Sequence, residues 1–281
     1  MSPVLGLGTY RVRAAGEAAR TALRAGARWI DTAPNYAHGQ AHHDLASALA
    51  DHPDARVTTK TGFHPDSRHS LAPEDVRTQT EESLAVLGRA DLVFVHNPER
   101  LSHNRKQLHH TLRAAFAVLE EFAAAGRIGG YGVATWSGFT EQAFTVAELT
   151  GLARDAAGST DHHLAGVQMP VSLVMAEPLA LALDGDGPLI HARDAGVTTF
   201  GSAPLHGGEL PSLMTPELVN LIAQGSTPHA AAFQVVGACP ALDVVLASTS
   251  TRRHWDDARA ALAEPIPDER LRTVLDVLST G

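Results

Sequence analysis

DLVFVHNPERLSHNRKQLHHTLRAAFAVLEEFAAAGRIGGYGVAT, residues 91–135, reads as strand, helix, strand. An apolar run over 91–96 opens the stretch. After a polar loop, Leu108, Leu112, Phe116, Leu119 and Phe122 recur at steps of four and three, which lines them along one face of a helix over 106–125. A glycine-containing break then leads into a second short apolar run, 130–135. Two short strands around one long amphipathic helix make a βαβ unit, and such units build parallel sheets.

Working outward in both directions, the same alternation fills the chain. Apolar runs at 5–10, 28–32, 56–61, 165–169, 197–201 and 243–248 join the two already read, giving eight strands. Between and after them, helical patterns cover 14–25, 41–50, 74–88, 145–157, 177–194, 215–238, 253–263 and 267–278, with Pro73 and Pro267 at first-turn positions where a missing N–H costs nothing. Eight strand–helix repeats in 281 residues are the arithmetic of an α/β protein of the (β/α)8 TIM-barrel type, expected as one domain over 1–281. The runner-up, a doubly wound open sheet, would carry G-x-G-x-x-G after its first strand; GLGTYRV supplies Gly6 and Gly8 and no third glycine.

Composition narrows the partners. With 22 Lys and Arg against 31 Asp and Glu, the net charge of −9 gives no general attraction to nucleic acid or anionic lipid. The lone Cys239 excludes an intramolecular disulfide and any thiolate cluster. No targeting segment or run of about 18 apolar residues is legible, so the expected location is the cytoplasm. Only two of the basic residues are lysines, Lys60 and Lys106, which makes a lysine behind the apolar RVTT run conspicuous.

In a barrel of this type the chemistry belongs at the C-terminal ends of the strands. The second, third and fourth strands end at Asp31, Lys60 and His96, and Tyr36 follows in the loop after the second. A buried ammonium requires a partner, which Asp31 can be. A phenol beside that lysine is expected to have its pKa lowered from about 10, so that Tyr36 can act as general acid while a neutral His96 orients a carbonyl oxygen. Tyr10, Phe63 and Trp136, after strands one, three and five, are expected to line the substrate pocket. Sixteen histidines include the pairs His42–His43, His109–His110 and His162–His163, yet adjacent histidines on a helix point apart and the first strand ends in Gly-Thr-Tyr where a metallohydrolase would carry H-x-H. No metal is expected, and His109 and His110 are read as surface residues. Cys239, just before Pro240, is placed away from the rim.

DTAPNY (31–36), TTKTG (58–62) and VFVHNPE (93–99), in that order, resemble the catalytic segments of the aldo-keto reductases. The resemblance extends through GRIGGYGVATW, VQMP, GSAPLHGG and ASTSTRRHWDDARAAL, and HNPE with YGVATW is similar to a bacterial branch. It implies NADPH, with NADH as the alternative, bound across the barrel mouth, and reduction of an aldehyde or ketone by Asp31, Tyr36, Lys60 and His96 acting as a tetrad. It implies further that Gln168 and Thr135 contact the nicotinamide carboxamide, with Ala134 lacking the hydroxyl usual beside it. Ser202 stands where many members stack an aromatic ring, a place for which Phe200 is the nearby substitute. Ser248, Thr249, Ser250, Arg252 and Arg253 fall on the segment that holds the 2′-phosphate and adenine, with Ala258 in place of a usual asparagine. Relative to the family, the usual N-terminal hairpin and long C-terminal tail are expected to be missing. The substitutions at 134, 202 and 258 keep open a barrel of this kind without redox activity, serving as a lyase or isomerase or as a binding subunit.

Overall fold

In the computed structural model, which describes residues 2–280, the sheet closes into a barrel. Its strands are β1 (Val4–Gly8), β2 (Trp29–Asp31), β3 (Arg56–Thr61), β4 (Leu92–His96), β5 (Tyr131–Ala134), β6 (Leu164–Pro170), β7 (Thr198–Ser202) and β8 (Val244–Ala247). Every neighbouring pair is parallel, and β1 pairs with both β2 and β8.

Alternation along the strands sorts side chains into two cores. One face of each strand packs against the surrounding helices, as Leu7, Ile30, Val57, Val93, Val95, Val133 and Val167 do. The other face fills the lumen, where Trp29, Leu92, Phe94, Phe200, Val244 and Leu246 form a second cluster. Phe200 meets Trp29 edge-on at 5.0 Å and Phe94 at 5.5 Å. Two glycines make room for these rings: a Cβ on Gly132 would run into the Gly166 carbonyl and Phe94, and one on Gly166 would come within 2.9 Å of Phe94.

At the N-terminal ends of the strands, charged side chains satisfy backbone. Asp91 Oδ2 accepts from the Val57 N–H at 2.7 Å, Asp243 Oδ2 accepts from Thr199 N–H at 2.8 Å, and the Arg89 guanidinium donates to the carbonyls of Leu49, His52 and Ala55. That end of the barrel is devoted to stability. One two-residue step beyond Trp29, Thr58, Phe94, Gly132, Gly166, Phe200 and Leu246, the lumen-facing positions at the other end are Asp31, Lys60, His96, Ala134, Gln168, Ser202 and Ser248.

Two expected helices are divided. The 177–194 pattern is two helices, Glu177–Leu183 and Gly187–Asp194, because Gly185 and Gly187 adopt left-handed backbone at φ 75° and 83° and so end one helix and begin another. The 215–238 pattern is likewise Pro216–Ile222 and Pro228–Gly237. Pro228 cannot continue a helix through Thr227, whose hydroxyl instead caps the new helix by accepting from Ala230 N–H. Among the described residues no helix is long and apolar enough to cross a membrane.

Candidate active site

β2 and β3 bring Asp31 and Lys60 together below the barrel mouth, where they are 4% and 1% exposed. The ammonium donates to both Asp31 oxygens, at 2.8 and 2.7 Å, and to the Thr32 carbonyl at 3.0 Å. Asp31 Oδ1 also accepts from the Thr58 hydroxyl at 2.7 Å and from Gln168 Nε2 at 3.0 Å. The carboxylate is thus held by β2, β3 and β6 at once. A charge pair this deep persists only when both members are saturated with hydrogen bonds, and here they are.

Tyr36 opens a tight turn whose next residues, Ala37 and His38, both have left-handed backbone at φ 50° and 54° before Gly39. Backbone of that kind in alanine and histidine is unfavourable, and both residues are exposed. The turn lays the Tyr36 ring 5.0 Å from Lys60 Nζ, against Tyr10 at 5.2 Å and against His96 at 6.2 Å.

The electrostatics correct one expectation. Burial pushes the Tyr36 phenol up by more than Lys60 pulls it down, so its pKa lies above 10. The ammonium's pull is blunted because Asp31 neutralises it at contact distance. Burial also acts to lower Lys60, but Asp31 first and Tyr36 second outweigh it, and the ammonium is held above 10.5. His96 is driven well below 6.5 by burial and then by the Lys60 charge, so its imidazole is neutral; Nδ1 is buried without a protein partner.

Phe63, expected in the pocket, packs edge-on against His96 at 5.0 Å and stacks on His69 at 4.0 Å. His69 Nε2 donates to the His96 carbonyl at 2.9 Å, a contact no sequence signal announces. Tyr10 and Trp136 are exposed at the mouth. A hollow of about 180 Å³ opens beside Trp136, lined also by Phe139, Met169, Val174, Met175 and Pro178.

The remaining expected residues ring the β5–β8 side. Thr135 is buried, its Oγ1 accepting from Gly138 N–H at 2.8 Å. Gln168 has its Nε2 committed to Asp31. Ser202 is half-buried, Ser248 and Ser250 are exposed, and Thr249 lies between. Thr251 caps the helix Arg252–Ala263, and in its first turn Arg252 and Arg253 pair with Asp256 at 2.6 Å and Asp257 at 3.8 Å. Phe200 does not reach the mouth: it is fully buried in the lumen, and cannot substitute for a stacking ring above Ser202. Ala258 is packed in the helix's buried face. The donor set fits a nicotinamide dinucleotide at its two ends, amide and hydroxyl groups on β5 to β7 and hydroxyls with two guanidiniums after β8, while Ala134 contributes no side-chain donor.

The histidine pairs are dispersed. His42 is buried against the Thr59 hydroxyl at 3.0 Å, and burial with the Lys60 charge lowers it to about 4. His163 pairs with Glu120, and His109, expected at the surface, is half-buried and bonds the Ala143 carbonyl at 3.1 Å. Among the described residues no three His, Cys, Asp or Glu side chains stand together as a metal would require. Cys239 is buried, its thiol pushed up to about 12.

Residues 5–218 match the sequence model of the Aldo/keto reductase family. The chain belongs to that family. The barrel is correspondingly similar to solved aldo-keto reductases. A thermostable aldo-keto reductase crystallised with the inhibitor epalrestat is 20% identical with a TM-score of 0.73, over 98% of this chain and 95% of that one. An aldo/keto reductase from Klebsiella pneumoniae in complex with NADP and acetate is 19% identical with a TM-score of 0.71, over 99% and 92%. The aldose reductase of Schistosoma japonicum is 18% identical with a TM-score of 0.67, over 98% and 88%. No curated protein sequence matches the chain.

Proposed function

We propose that this aldo/keto reductase uses NADPH to reduce a small aldehyde or ketone, with Tyr36 as the proton donor. Family membership supports a nicotinamide-dependent carbonyl oxidoreductase, and the NADP complex of the Klebsiella pneumoniae enzyme supports the phosphorylated cofactor. The observation that carries the assignment of roles is the buried ammonium of Lys60, bound by both oxygens of Asp31 and 5.0 Å from the centre of the Tyr36 ring.

Dihydronicotinamide, when bound, supplies a hydride to the carbonyl carbon. Thr135 and Gln168 are the residues proposed to hold its carboxamide, and Arg252 or Arg253, with Ser248, Thr249 and Ser250, its 2′-phosphate. As the C=O bond gives up its π electrons to oxygen, that oxygen needs a proton, and the Tyr36 hydroxyl provides it. The phenolate left behind forms beside Lys60, whose ammonium stabilises it and which Asp31 keeps in place; solvent then restores the proton. His96, neutral, donates a hydrogen bond that orients the carbonyl oxygen toward Tyr36. Tyr10, Phe63 and Trp136 provide the apolar surroundings that keep the developing charge from water.

Tyr36→Phe tests this. It keeps the ring and its contacts with Tyr10 and His96 and removes one oxygen, so folding and NADPH affinity should hold while the single-turnover oxidation of bound NADPH by a panel of aldehydes and ketones slows by about 10²–10⁴-fold. A variant that turns over any good substrate near the wild-type rate would remove Tyr36 from the role of acid.

A further inference from the structure

Glu99 belongs to the HNPE run and has no part in the chemistry above. It lies in the 3₁₀ turn Pro98–Arg100, three residues beyond His96, and is 4% exposed. A buried carboxylate is costly unless donors surround it. Its donors come from a different loop: Oε1 accepts from the Trp136 N–H at 2.9 Å and the Ser137 N–H at 3.2 Å. The same two loops are tied once more by Asn97 N–H to the Ala134 carbonyl at 2.6 Å, across the β4–β5 pair. Next in sequence, the Gly138 N–H goes to Thr135 Oγ1. Three consecutive amides of the loop after β5 are therefore fixed by two side chains, and the loop so fixed carries Thr135 and Trp136 to the mouth. Glu99 Oε2 has no protein partner and borders a cavity of about 130 Å³ with Ser102, His103, Arg105, Glu141 and Gln142.

We propose that Glu99 is a positioning residue: its carboxylate locks the loop after β5 to the loop that carries His96, so that Thr135 and Trp136 present their side chains to ligands in one pose. The assignment rests on the functional reading above for what the loop binds, but not for the lock itself. Charge-assisted bonds from a carboxylate to adjacent amides are short, directional and stronger than neutral ones, and they fix backbone where a side-chain contact would fix only a rotamer. The lock acts on binding rather than on proton transfer, because Tyr36, Lys60 and Asp31 are held by β2, β3 and β6 without it.

The test uses the full chain and two readouts. Trp29 and Trp255 are buried and Trp136 is 46% exposed, so iodide quenching of tryptophan fluorescence in the ligand-free protein reports on Trp136. In Glu99→Ala, quenching should rise at least twofold, and KM for the carbonyl substrate and Kd for NADPH should rise about tenfold with kcat within threefold of wild type. Glu99→Gln, which keeps an oxygen acceptor for both amides, should restore most of both. Glu99→Asp, one methylene too short, should resemble Glu99→Ala and serves if the alanine variant does not fold. Unchanged quenching and unchanged KM in the folded variants, whatever the melting temperature does, would overturn the proposal, as would a fall confined to kcat. If Tyr36→Phe proves fully active while Glu99→Ala still loosens Trp136, the reductase mechanism fails and the lock stands.

Discussion

Burial first, and the Lys60 charge second, set the protonation of Tyr36 and His96, and the pH behaviour of the site follows. Tyr36 is held above 10 and His96 well below 6.5, so across the interval between them the acid is protonated and the orienting imidazole is neutral. The single-turnover rate of carbonyl reduction should accordingly be flat from pH 6.5 to 10 and fall above it, as the phenol loses the proton it must give. A midpoint near 7 would show that another group supplies the proton. The stability linked to Lys60 has the same direction: because its folded pKa is raised, the ion pair contributes fully below about 10.5, the value of a free lysine side chain, and is lost as pH rises through the higher folded value. The convergence of Asp31, Lys60 and His96 is legible in the sequence, since strand alternation fixes the side to which each strand-end residue points, whereas Tyr36, in the turn after β2, is legible only through the DTAPNY resemblance. The direction of the Tyr36 shift is not legible at all. It depends on how much water the fold removes and on how closely Asp31 neutralises the lysine, and neither quantity is a property of the local sequence. His69 and Glu99 were illegible for a related reason: both act on backbone of a loop distant in sequence.

Among the elements, the strands and the long amphipathic helices follow from periodicity alone, whereas the breaks within 177–194 and 215–238 turn on single residues, Gly185, Gly187 and Pro228, inside otherwise apolar stretches. The helix Arg252–Ala263 shows how an element's end can be ready for a ligand and already satisfied without one. Arg252 and Arg253 are exposed and bonded to Asp256 and Asp257 one turn on. Exposed pairs of that spacing contribute only ~0.3–0.5 kcal/mol, so a phosphate at the helix N-terminus can displace them. Alanine at whichever arginine receives the 2′-phosphate should weaken NADPH by ~1.5–3 kcal/mol, about ten- to hundredfold, and leave NADH within a factor of about two, read by nicotinamide fluorescence titration. Equal losses for the two cofactors in both variants would detach these arginines from the phosphate.

For the molecule as a whole, the lumen is the feature that admits least change, because side chains of β2, β4, β5, β7 and β8 share one confined cluster. Gly132→Ala places a methyl group where the Gly166 carbonyl and Phe94 already are and should cost at least ~1–3 kcal/mol, lowering the melting temperature by roughly 2–5 °C or more. Gly151→Ala, in the helix Val146–Ala157 with open space at its Cβ, should instead stabilise by ~0.5–1 kcal/mol. Differential scanning calorimetry on the pair separates confined glycines from merely permissive ones; the sequence shows 24 glycines and does not say which is which. The closure of the sheet has a consequence of a different sort. Val4 pairs with Val244, so the barrel's first strand is completed by its last. Until then the nascent protein is an arc with two bare edges, each offering a row of free amides and carbonyls to any neighbour. Closing it brings together strands 240 residues apart, the slowest kind of contact to form. A barrel that lacks only this last pairing is still an open ribbon, so the time the β1–β8 seam takes to form is the time for which strand edges stay open to aggregation.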